Sequence, residues 1–524
     1  MGIRDFFKNR VSRMAESMDV YKKDIFELEG VPAFREYYIL YIFIWQAIYK
    51  GFYKAWHEVP LHTIRDPKGK TRTLATMNAG KMACSQMARY VWNERCSITA
   101  SMANAPENDP LNEFLQFILR ENRFGVSFGD LLEKSFALGG GALKEWVEVP
   151  KDENGNDIGE GRVKIGYTMA SQFVPTAWDI TRVTSGIFVS REARDGFYYT
   201  VVEWHRWDGQ TYRVTNDLYR MPIKGNEPQN ILGWWYPLDK VYPLLSPDTT
   251  IEDVHHAYFQ YIRPFGANYA DDNSPMGMSI YAPALNTLHG LDIMFDSLQR
   301  EFVLGKKRII VPARLMKAAV LNGSRPERYF DADDEAFEAL ATDNPEDLKI
   351  HDNSVDLRVD QHIAGINGDL SILCAQIGFD PGTLSFDAVK GLKTATEVIS
   401  ENSKTFSTVK AHENILRDAL EQMVHAVFDL AARYGLTWQG KTVASLISGG
   451  YSVSVAFDDS IIQDKNAEVN QGITLVGAGL MSKKKFLTDT MGMTPEDADK
   501  ELAQITAEGK ANTTNVMSLF GGMG

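Results

Sequence analysis

The chain has 524 residues, of which 44% are apolar and 24% charged, and its formal net charge at pH 7 is −14. Enough apolar residues are present to bury a large core, which excludes a disordered chain. The acidic balance argues against a domain that reads a DNA sequence, because such domains are normally basic. The apolar run at 39–49 is about half as long as a membrane-spanning helix, and the N-terminus lacks the apolar core of a signal peptide. We therefore expect no membrane contact and a protein that stays in the cytoplasm where it is made.

The three cysteines are Cys84, Cys96 and Cys374, and no two of them form a CxxC pair. Scattered thiols fit a reducing compartment and argue against a disulfide framework or a structural zinc site. We interpret all three as small buried apolar residues.

The first part of the chain is predicted to be helical. Residues 34–53 are rich in aromatic side chains, and residues 79–93 carry apolar side chains at helical spacing. The pair Asp109-Pro110 is typical of a helix start, with the aspartate as the cap and the proline in the first turn. The apolar residues that follow share one helix face, which we expect to be buried: Leu111, Phe114, Leu115 and Ile118.

Antiparallel strands are predicted next, because from Leu143 onward the apolar residues alternate with a period of two. Two such runs flank Asp208-Gly209, which is a strong signal for a β-hairpin. We predict an antiparallel meander that ends near Pro222.

Two amphipathic helices are predicted in the second half of the chain. The first, 284–304, repeats leucine and phenylalanine at spacings of three and four, and Asp292 and Asp296 lie on its opposite, polar face. The second is predicted to begin at a capping Asp360 and to end at Gly378.

The unit between these two helices, residues 305–357, separates its charges. Residues 305–330 hold seven basic side chains and one acidic one, whereas residues 331–357 hold ten acidic and one basic. The start of the acidic run resembles a calcium loop, but Ala336 stands where such a loop needs glycine. A solvated acidic face is therefore favoured over a calcium site.

A very long helix is predicted after a short loop. Thr394-Ala-Thr-Glu397 matches a capping box and starts a helical pattern that runs to Tyr434. About 40 residues at 1.5 Å each make a rod of about 60 Å. A strand at 451–457 and a helical tail at 466–508 follow, so the elements together predict an α+β fold.

No pattern in the sequence strongly favours catalysis. Lys144 stands in the wrong place after Gly139-Gly-Gly141 for a phosphate-binding loop, and the adjacent His255 and His256 diverge and make a poor metal site. A turn with a helix cap is favoured over an ion site for three carboxylates near the end of the chain: Asp458, Asp459 and Asp464. Because no GxSxG or HExxH motif and no Cys–His pairing occurs, we expect neither an enzyme nor a bound cofactor or metal.

Several short segments stand in a distinctive order: Trp45-Gln-Ala-Ile-Tyr-Lys-Gly51, Gly80-Lys-Met-Ala-Cys84, Asn93-Glu94, Ala137-Leu-Gly-Gly-Gly-Ala-Leu-Lys144, Ser274-Pro-Met-Gly-Met-Ser-Ile-Tyr281, Gly290-Leu-Asp292, and Arg300-Glu301 to Gly305-Lys-Lys-Arg308. The most specific is Phe386 followed by Lys393-Thr-Ala-Thr-Glu-Val-Ile-Ser400. Each segment alone is a weak signal. Their order over most of the chain resembles that of the portal proteins of long-tailed bacteriophages, although residues 513–524 carry nothing diagnostic.

The resemblance implies an elongated portal-type subunit in a homo-oligomeric ring, usually of twelve subunits, at one capsid vertex of the virion. It also implies a division of the chain into these segments: wing 1–278, first stem helix 279–304, clip 305–357, second stem helix 358–378, tunnel loop 379–393, long wing helix 394–435, wing β-segment 436–465, and crown with C-terminal tail 466–524.

The implied partners are other copies of the chain, double-stranded DNA that passes without sequence recognition, the terminase motor, the major capsid and scaffolding proteins, and the head–tail adaptor. An acidic channel suits such passage, because strong Lys and Arg contacts with phosphates would bind DNA tightly and stall it.

Under this division, three groups of residues become candidate sites. Asp292 and Asp296 are expected to point toward the channel or a neighbouring subunit, with ordinary solvated carboxylates as the alternative. Lys390 and Lys393 of the tunnel loop, with Asp387 nearby, are expected to make weak contacts with DNA or to face the neighbouring subunit. Opposite charges in the clip are expected to pair between adjacent subunits: the basic arm of Lys306, Lys307, Arg308, Arg314 and Lys317, and the acidic arm of Asp331, Asp333, Asp334 and Glu335.

Two other classes of protein fit parts of the sequence. Another head structural protein, such as a capsid or adaptor subunit, is disfavoured by the long capped helix and the two paired helices. A metal-dependent nuclease could use the carboxylates above, whereas a packaging ATPase is disfavoured by the missing phosphate-binding loop.

Overall fold

The computed structural model describes these parts of the chain: 23–32, 36–63, 66–103, 109–150, 152, 156–179, 182–223, 231–305, 309–312, 337–340, 351–352, 356–386, 403–458, 472–491, 493 and 497–506. The fold mixes helices with several antiparallel sheets, which confirms the α+β prediction.

The N-terminal half contains the helices that the aromatic and apolar spacing predicts: α1 Glu36–Tyr49, a short helix Lys54–His57, α2 Ala79–Val91, α3 Pro110–Glu121 and α4 Phe124–Leu138. The Asp109 side chain caps α3 by accepting a hydrogen bond from the Leu111 amide at 2.9 Å. The four apolar residues predicted for the inner face of α3 are all buried. Capping and spacing therefore predicted this helix correctly.

The largest sheet has seven strands: β1 Lys23–Asp24, β7 Phe173–Asp179, β8 Arg182–Arg194, β9 Phe197–Asp208, β10 Thr211–Pro222, β11 Ile231–Tyr236 and β12 Asp248–Ile251. Asp208 pairs with Thr211 across a two-residue turn in which Gly209 has a φ of +65°, so the predicted hairpin is confirmed. The meander does not end near Pro222, because β11, β12 and the distant β1 extend it. Local periodicity cannot show strands that join a sheet from elsewhere in the chain.

Smaller sheets cover the helices. β5 Gly141–Glu148 lies between β6 Arg162–Met169 and β13 Phe259–Ile262, and β4 Ser97–Met102 pairs with β19 Tyr451–Ala456. The remaining sheets are β2 Glu58–Thr63 with β3 Asp66–Thr73, β14 Ile309–Pro312 with β15 Phe337–Leu340 and β16 His351–Asp352, and β17 Thr437–Trp438 with β18 Lys441–Thr442.

Two antiparallel helices, α5 Leu285–Leu304 and α6 Val359–Ile377, flank the small sheet β14–β16. Thr287 bonds Gln376 at one end of the pair, at 2.8 Å, and Glu301 bonds Arg358 at the other, at 2.9 Å. The N-cap of α6 is Arg358, whose side chain makes no capping bond, so the prediction that Asp360 caps this helix is wrong. Asp360 instead lies in the first turn, where a negative charge favours the helix dipole.

The long helix α7 Ser403–Arg433 has 31 described residues, or about 46 Å at 1.5 Å per residue. It ends where predicted, and Gly435 follows it with a φ of +64°. Leu420, Met423 and Val427 of α7 are fully buried in the main core, which also includes α1 to α6. Helical segments at Val443–Ile447, 472–477, Lys483–Lys485, Phe486–Thr490 and 497–506 complete the described chain. None of the helices within these described parts is long and apolar enough to cross a membrane.

Candidate functional site

The pair α5–α6 carries the candidate site residues that the structure describes. Asp292 on α5 is only 6% exposed, and both of its oxygens are engaged. Oδ1 accepts from the Met77 amide at 2.8 Å and from the Thr76 hydroxyl at 2.9 Å, and Oδ2 lies 3.1 Å from Nε2 of His57. Asp292 therefore fixes the segment before α2, and the helix Lys54–His57, onto α5.

The orientation of His57 follows from its second ring nitrogen. Nδ1 lies 2.8 Å from the Tyr53 amide nitrogen and 3.0 Å from the Tyr53 carbonyl oxygen, and Nε2 faces the Asp292 carboxylate. The His57 ring is 1% exposed and contacts Phe52 and Trp56. This is a buried imidazole with both nitrogens satisfied, which is the arrangement of a structural histidine.

Asp296 lies one helical turn after Asp292 and holds the end of β3. Both nitrogens of the Arg72 fork donate to its two oxygens at 2.8 Å, and the Ala75 amide donates to Oδ1 at 3.1 Å. Burial acts to raise the pKa of Asp296, but the hydrogen bonds from Arg72 and Ala75 outweigh it and leave the pKa below the ordinary value. The carboxylate is therefore charged at neutral pH.

Asp292 and Asp296, on the polar face of α5, are buried within the subunit. Phe302, Val303 and Leu304, in the last turn of the helix, are exposed. The two aspartates are buried because the residues around β3 supply donors that satisfy both carboxylates. The further idea that the two aspartates point to a channel or a neighbour stays a prediction about the assembled ring.

A third carboxylate of α5, Glu301, joins the two helices at the end next to the small sheet. Arg358 donates to it through its side chain at 2.9 and 3.1 Å and through its amide at 3.2 Å. These hydrogen bonds lower the pKa of Glu301 to about 2. His362 lies 3.7 Å from the same carboxylate.

The other predicted site residues lie outside the described residues. They are the tunnel-loop residues Asp387, Lys390 and Lys393, the capping residues Thr394 and Glu397, and the clip residues Lys306, Lys307, Arg308, Arg314, Lys317, Asp331, Asp333, Asp334 and Glu335. Asp459 and Asp464 lie outside them too, whereas Asp458 is placed 3.2 Å from the amide nitrogen of Asn93.

The glycine cluster forms a close crossing between helix α4 and strand β5. Gly139 ends α4 with a φ of +82°, and a Cβ there would lie 2.4 Å from the Gly277 carbonyl oxygen. Lys144 pairs with Glu203 at 2.7 Å. Close backbone packing therefore accounts for the glycine cluster, and an ion pair accounts for Lys144.

His256, which follows β12, also has protein partners. His256 bonds Gln422 at 2.8 Å and stacks on His425 of α7, with 5.2 Å between ring centres. In the part of the chain that the structure describes, no group of three or more His, Cys, Asp or Glu side chains is placed to hold a metal ion.

Glu145 on β5 is a buried carboxyl that the sequence did not single out. It is 2% exposed, and neither side-chain oxygen has a hydrogen-bond partner among the described residues. Burial raises its pKa to about 8. On β9, burial also acts to raise the pKa of Glu203, but His205 and Lys144 outweigh it and lower the value to about 2.

The partners of Asp292 and Asp296 could not be found from the sequence, because they lie more than 200 positions away along the chain. Local spacing reports which residues share a helix face and does not report what packs against that face. No signal in the sequence marked His57 or Arg72.

The charged groups of the paired helices hold segments of the chain together. The chain matches the family model described as "Phage portal protein, SPP1 Gp6-like" over residues 3–514. No curated protein matches the chain. The chain therefore belongs to the phage portal protein family, whose members serve as head–tail connectors in genome packaging. The family is structural, and membership implies an oligomeric ring at the portal vertex of the virion.

Proposed function

We propose that this chain forms the ring-shaped channel through which DNA enters a phage capsid, is retained there and is ejected. The observation that carries the proposal is the family match over nearly the whole chain. The ring is proposed to contain twelve copies and to dock the terminase motor and then the head–tail adaptor. The major capsid and scaffolding proteins are the proposed partners at the vertex.

The proposed division of labour follows the order of the elements. Residues 1–278 form the wing, α5 and α6 form the stem, and 305–357 form the clip. The antiparallel α5–α6 pair with a small sheet at one end supports this assignment. Residues 379–393 form the tunnel loop. The segments 394–435, 436–465 and 466–524 complete the wing and form the crown.

The exposed apolar residues near the clip end of the stem support contacts between copies. Phe302, Val303, Leu304 and Leu357 are between 42% and 61% exposed. Clustered apolar residues on the surface of one chain usually mark an interface. We expect the neighbouring subunit to cover them in the ring.

Ring assembly tests this proposal. The variant Phe302→Ser/Val303→Ser should lower the ring fraction measured by mass photometry, because serine removes apolar area from the interface. Val126→Ser is the matched control, since Val126 is a single hydrophobe of α4 that is 73% exposed. A stem variant that assembles as well as the control would contradict the proposed interface.

The clip is proposed to use its opposite charges between adjacent subunits. Reversal of Lys306, Lys307 and Arg308 to glutamate should weaken ring assembly or docking of the motor and adaptor. Unchanged assembly, packaging and tail joining would refute this role.

The tunnel loop is proposed to handle DNA through Lys390 and Lys393. In a chain of net charge −14, a few lysines would give weak, salt-screened contacts that allow the duplex to slide. Rings of Lys390→Ala/Lys393→Ala that assemble normally should fill with less DNA or retain less of it. Wild-type filling and retention would show that these side chains do not handle DNA.

A further inference from the structure

A cavity of about 810 Å³ is formed by strands β5, β9, β10 and β12 and the end of the long helix α7. Lys144, Glu145 and Val147 of β5 line it, together with Leu430 and Arg433 of α7. Most of β12, which also contributes to the lining, is exposed, so the cavity opens to solvent there. A small molecule can therefore enter it.

The lining contains hydrogen-bond acceptors that have no donor. Neither oxygen of Glu145 has a hydrogen-bond partner among the described residues, although the side chain is only 2% exposed. The same holds for Oδ1 of Asn216 on β10, whose side-chain nitrogen donates to the Ser246 carbonyl at 2.8 Å. A buried acceptor without a donor costs free energy. Both residues therefore favour a ligand that brings N–H groups.

The basic side chains of the lining are already committed to other carboxylates. The Lys144 ammonium lies 2.7 Å from Glu203, and the Arg433 guanidinium lies 2.7 Å from Asp429. Neither of them donates to Glu145. Ionised Glu145 would thus add a negative charge that no side chain of the lining pairs, and such a charge favours a cationic ligand.

The rest of the lining suits an organic cation. Trp146 and Tyr434 are 40% and 54% exposed, and they line the cavity together with Tyr258. Aromatic faces attract an ammonium group, and Val147 and Leu430 offer apolar surface to an alkyl stem. A metal ion fits less well, because no group of three or more His, Cys, Asp or Glu side chains in the described ranges is placed to hold one.

We propose that this cavity binds a small alkylammonium compound, with Glu145 as the acceptor of its charged group. The Glu145 oxygens are buried in the absence of ligand, so binding includes a turn of this side chain toward the cavity and transfer of its proton to solvent. The ammonium group then supplies the donors that Glu145 and Asn216 lack. The site does not depend on the proposed role in DNA passage.

Binding should be coupled to the proton of Glu145. Burial raises the pKa of this carboxyl to about 8, so it is protonated at pH 7 without ligand. The ionised form attracts a cation, and binding at pH 7 should therefore release about one proton. The affinity should rise about tenfold per pH unit below pH 8 and level off above it.

Three tyrosines lie near Glu145. Tyr167 of β6 and Tyr212 of β10 interact electrostatically with its carboxyl, and the Tyr258 carbonyl accepts a hydrogen bond from its amide at 3.1 Å. Burial raises the pKa of all three hydroxyls, so they stay protonated near neutral pH. Glu252, which is also in the lining, is exposed to solvent.

The charged partners around the cavity do not depend on Glu145. Lys144 keeps Glu203, whose pKa is about 2, and Arg433 keeps Asp429. His205 lies 2.7 Å from Glu203. All of these side chains are retained in Glu145→Gln, so a difference in pH dependence between this variant and wild type is due to Glu145.

Isothermal titration calorimetry of the purified full-length protein with butylammonium chloride tests the site. Wild type should bind the amine and release about one proton at pH 7, as measured by titration in two buffers with different heats of ionisation. Glu145→Gln should lower the affinity at pH 9 about tenfold or more, since it removes the charged acceptor. It should also remove the rise in affinity with pH.

Glu148→Gln is the matched control and should bind as wild type does. It is the same substitution on the same strand, at a side chain that is 61% exposed and does not line the cavity. Tyr434→Ala is a second variant should Glu145→Gln fail to fold, and loss of its aromatic face should weaken binding about twofold to fivefold. The probe 1-butanol has the same stem without the charge and should bind more weakly than butylammonium.

Three results would overturn the proposal. The first is no binding of butylammonium by wild type. The second is equal affinity and equal pH dependence in wild type and Glu145→Gln. The third is binding of 1-butanol as tight as that of butylammonium, which would make the cavity an apolar site that does not use the carboxyl.

Discussion

The paired helices α5 and α6 and the three-stranded sheet that contains β5 bury carboxyl groups in opposite ways. Asp292 and Asp296 on α5 each receive three hydrogen bonds of 3.1 Å or less. The donors are His57 and residues around β3, and two of the three bonds to Asp296 come from Arg72. Glu145 on β5 is equally buried and receives none to its side-chain oxygens within the described residues. The pKa of Asp296 is accordingly lowered, whereas that of Glu145 is raised to about 8.

This comparison shows that burial alone does not decide whether these carboxyl groups are charged. Desolvation disfavours the ionised form in each case, and directed donors reverse its effect on α5. A carboxylate with partners can join distant segments, as Asp292 joins α5 to the residues before α2. A carboxyl without partners stays protonated at neutral pH and contributes no ion pair.

The largest expected loss of stability is from Asp292→Ala. It leaves the donors of His57, Thr76 and Met77 buried without a partner, so the free energy of unfolding should fall by about 3 kcal/mol. Urea denaturation at one fixed protein concentration measures this. Asp292→Asn keeps an acceptor for Thr76 and Met77 and should cost less. A loss in Asp292→Ala no larger than that of Asp292→Asn would contradict the account of this site.

Glu145→Gln should raise the free energy of unfolding at high pH, whereas Asp292→Ala lowers it. Because the folded-state pKa of Glu145 is raised to about 8, its protonated form stabilises the fold fully below the ordinary pKa of a glutamate. That contribution is lost as the pH rises toward 8 and beyond. Glutamine does not ionise, so the variant should be more stable than wild type at pH 9, by about 1–3 kcal/mol. Equal pH dependence of the two proteins between pH 6 and 9 would show that Glu145 is not the titrating group.

A smaller loss of stability is expected when Asp296 loses its partner Arg72. Its pKa is lowered in the folded state, so its contribution is present above the ordinary pKa of an aspartate and is lost as the pH falls through the folded value. Arg72→Met should cost about 1–2 kcal/mol at pH 7, since the pair is partly buried. The difference from wild type should shrink in acid. A constant difference from pH 7 down to pH 2.5 would assign the loss to packing instead.

The smallest loss of stability is expected at the exposed contact between Arg358 and Glu301, where α5 meets α6. Arg358→Ala removes the partner of Glu301, but the arginine side chain is 67% exposed. Solvent and salt screen such pairs. Thermal unfolding should shift less than in any variant above, and the shift should disappear at high salt. A large, salt-independent shift would mean that this pair is shielded from solvent.

Sequence-based prediction succeeded where the signals are local along the chain. Helix α3 was predicted down to its cap and its buried face, because Asp109, the proline and the apolar spacing are local signals. The hairpin at Gly209 was predicted for the same reason. Gly378 and Gly435 were correctly placed as helix ends.

Contacts between distant segments could not be predicted. The sequence does not show that Asp292 meets His57 or that Asp296 meets Arg72. Asp380 has no local feature that marks it as a partner of Thr405, which lies 25 positions later on α7. Glu145 sits in a strand of ordinary alternation, and only the packing of α7 and β13 against β5 explains its burial.

Imaging of the assembled protein tests the central claim most directly. Cryo-electron microscopy of the purified full-length chain should show closed rings with a central channel wide enough for duplex DNA and with the α5–α6 pairs arranged around it. A monomer, an open filament or a closed shell without a through-channel would contradict the assignment of this chain as the subunit of a DNA-conducting portal ring.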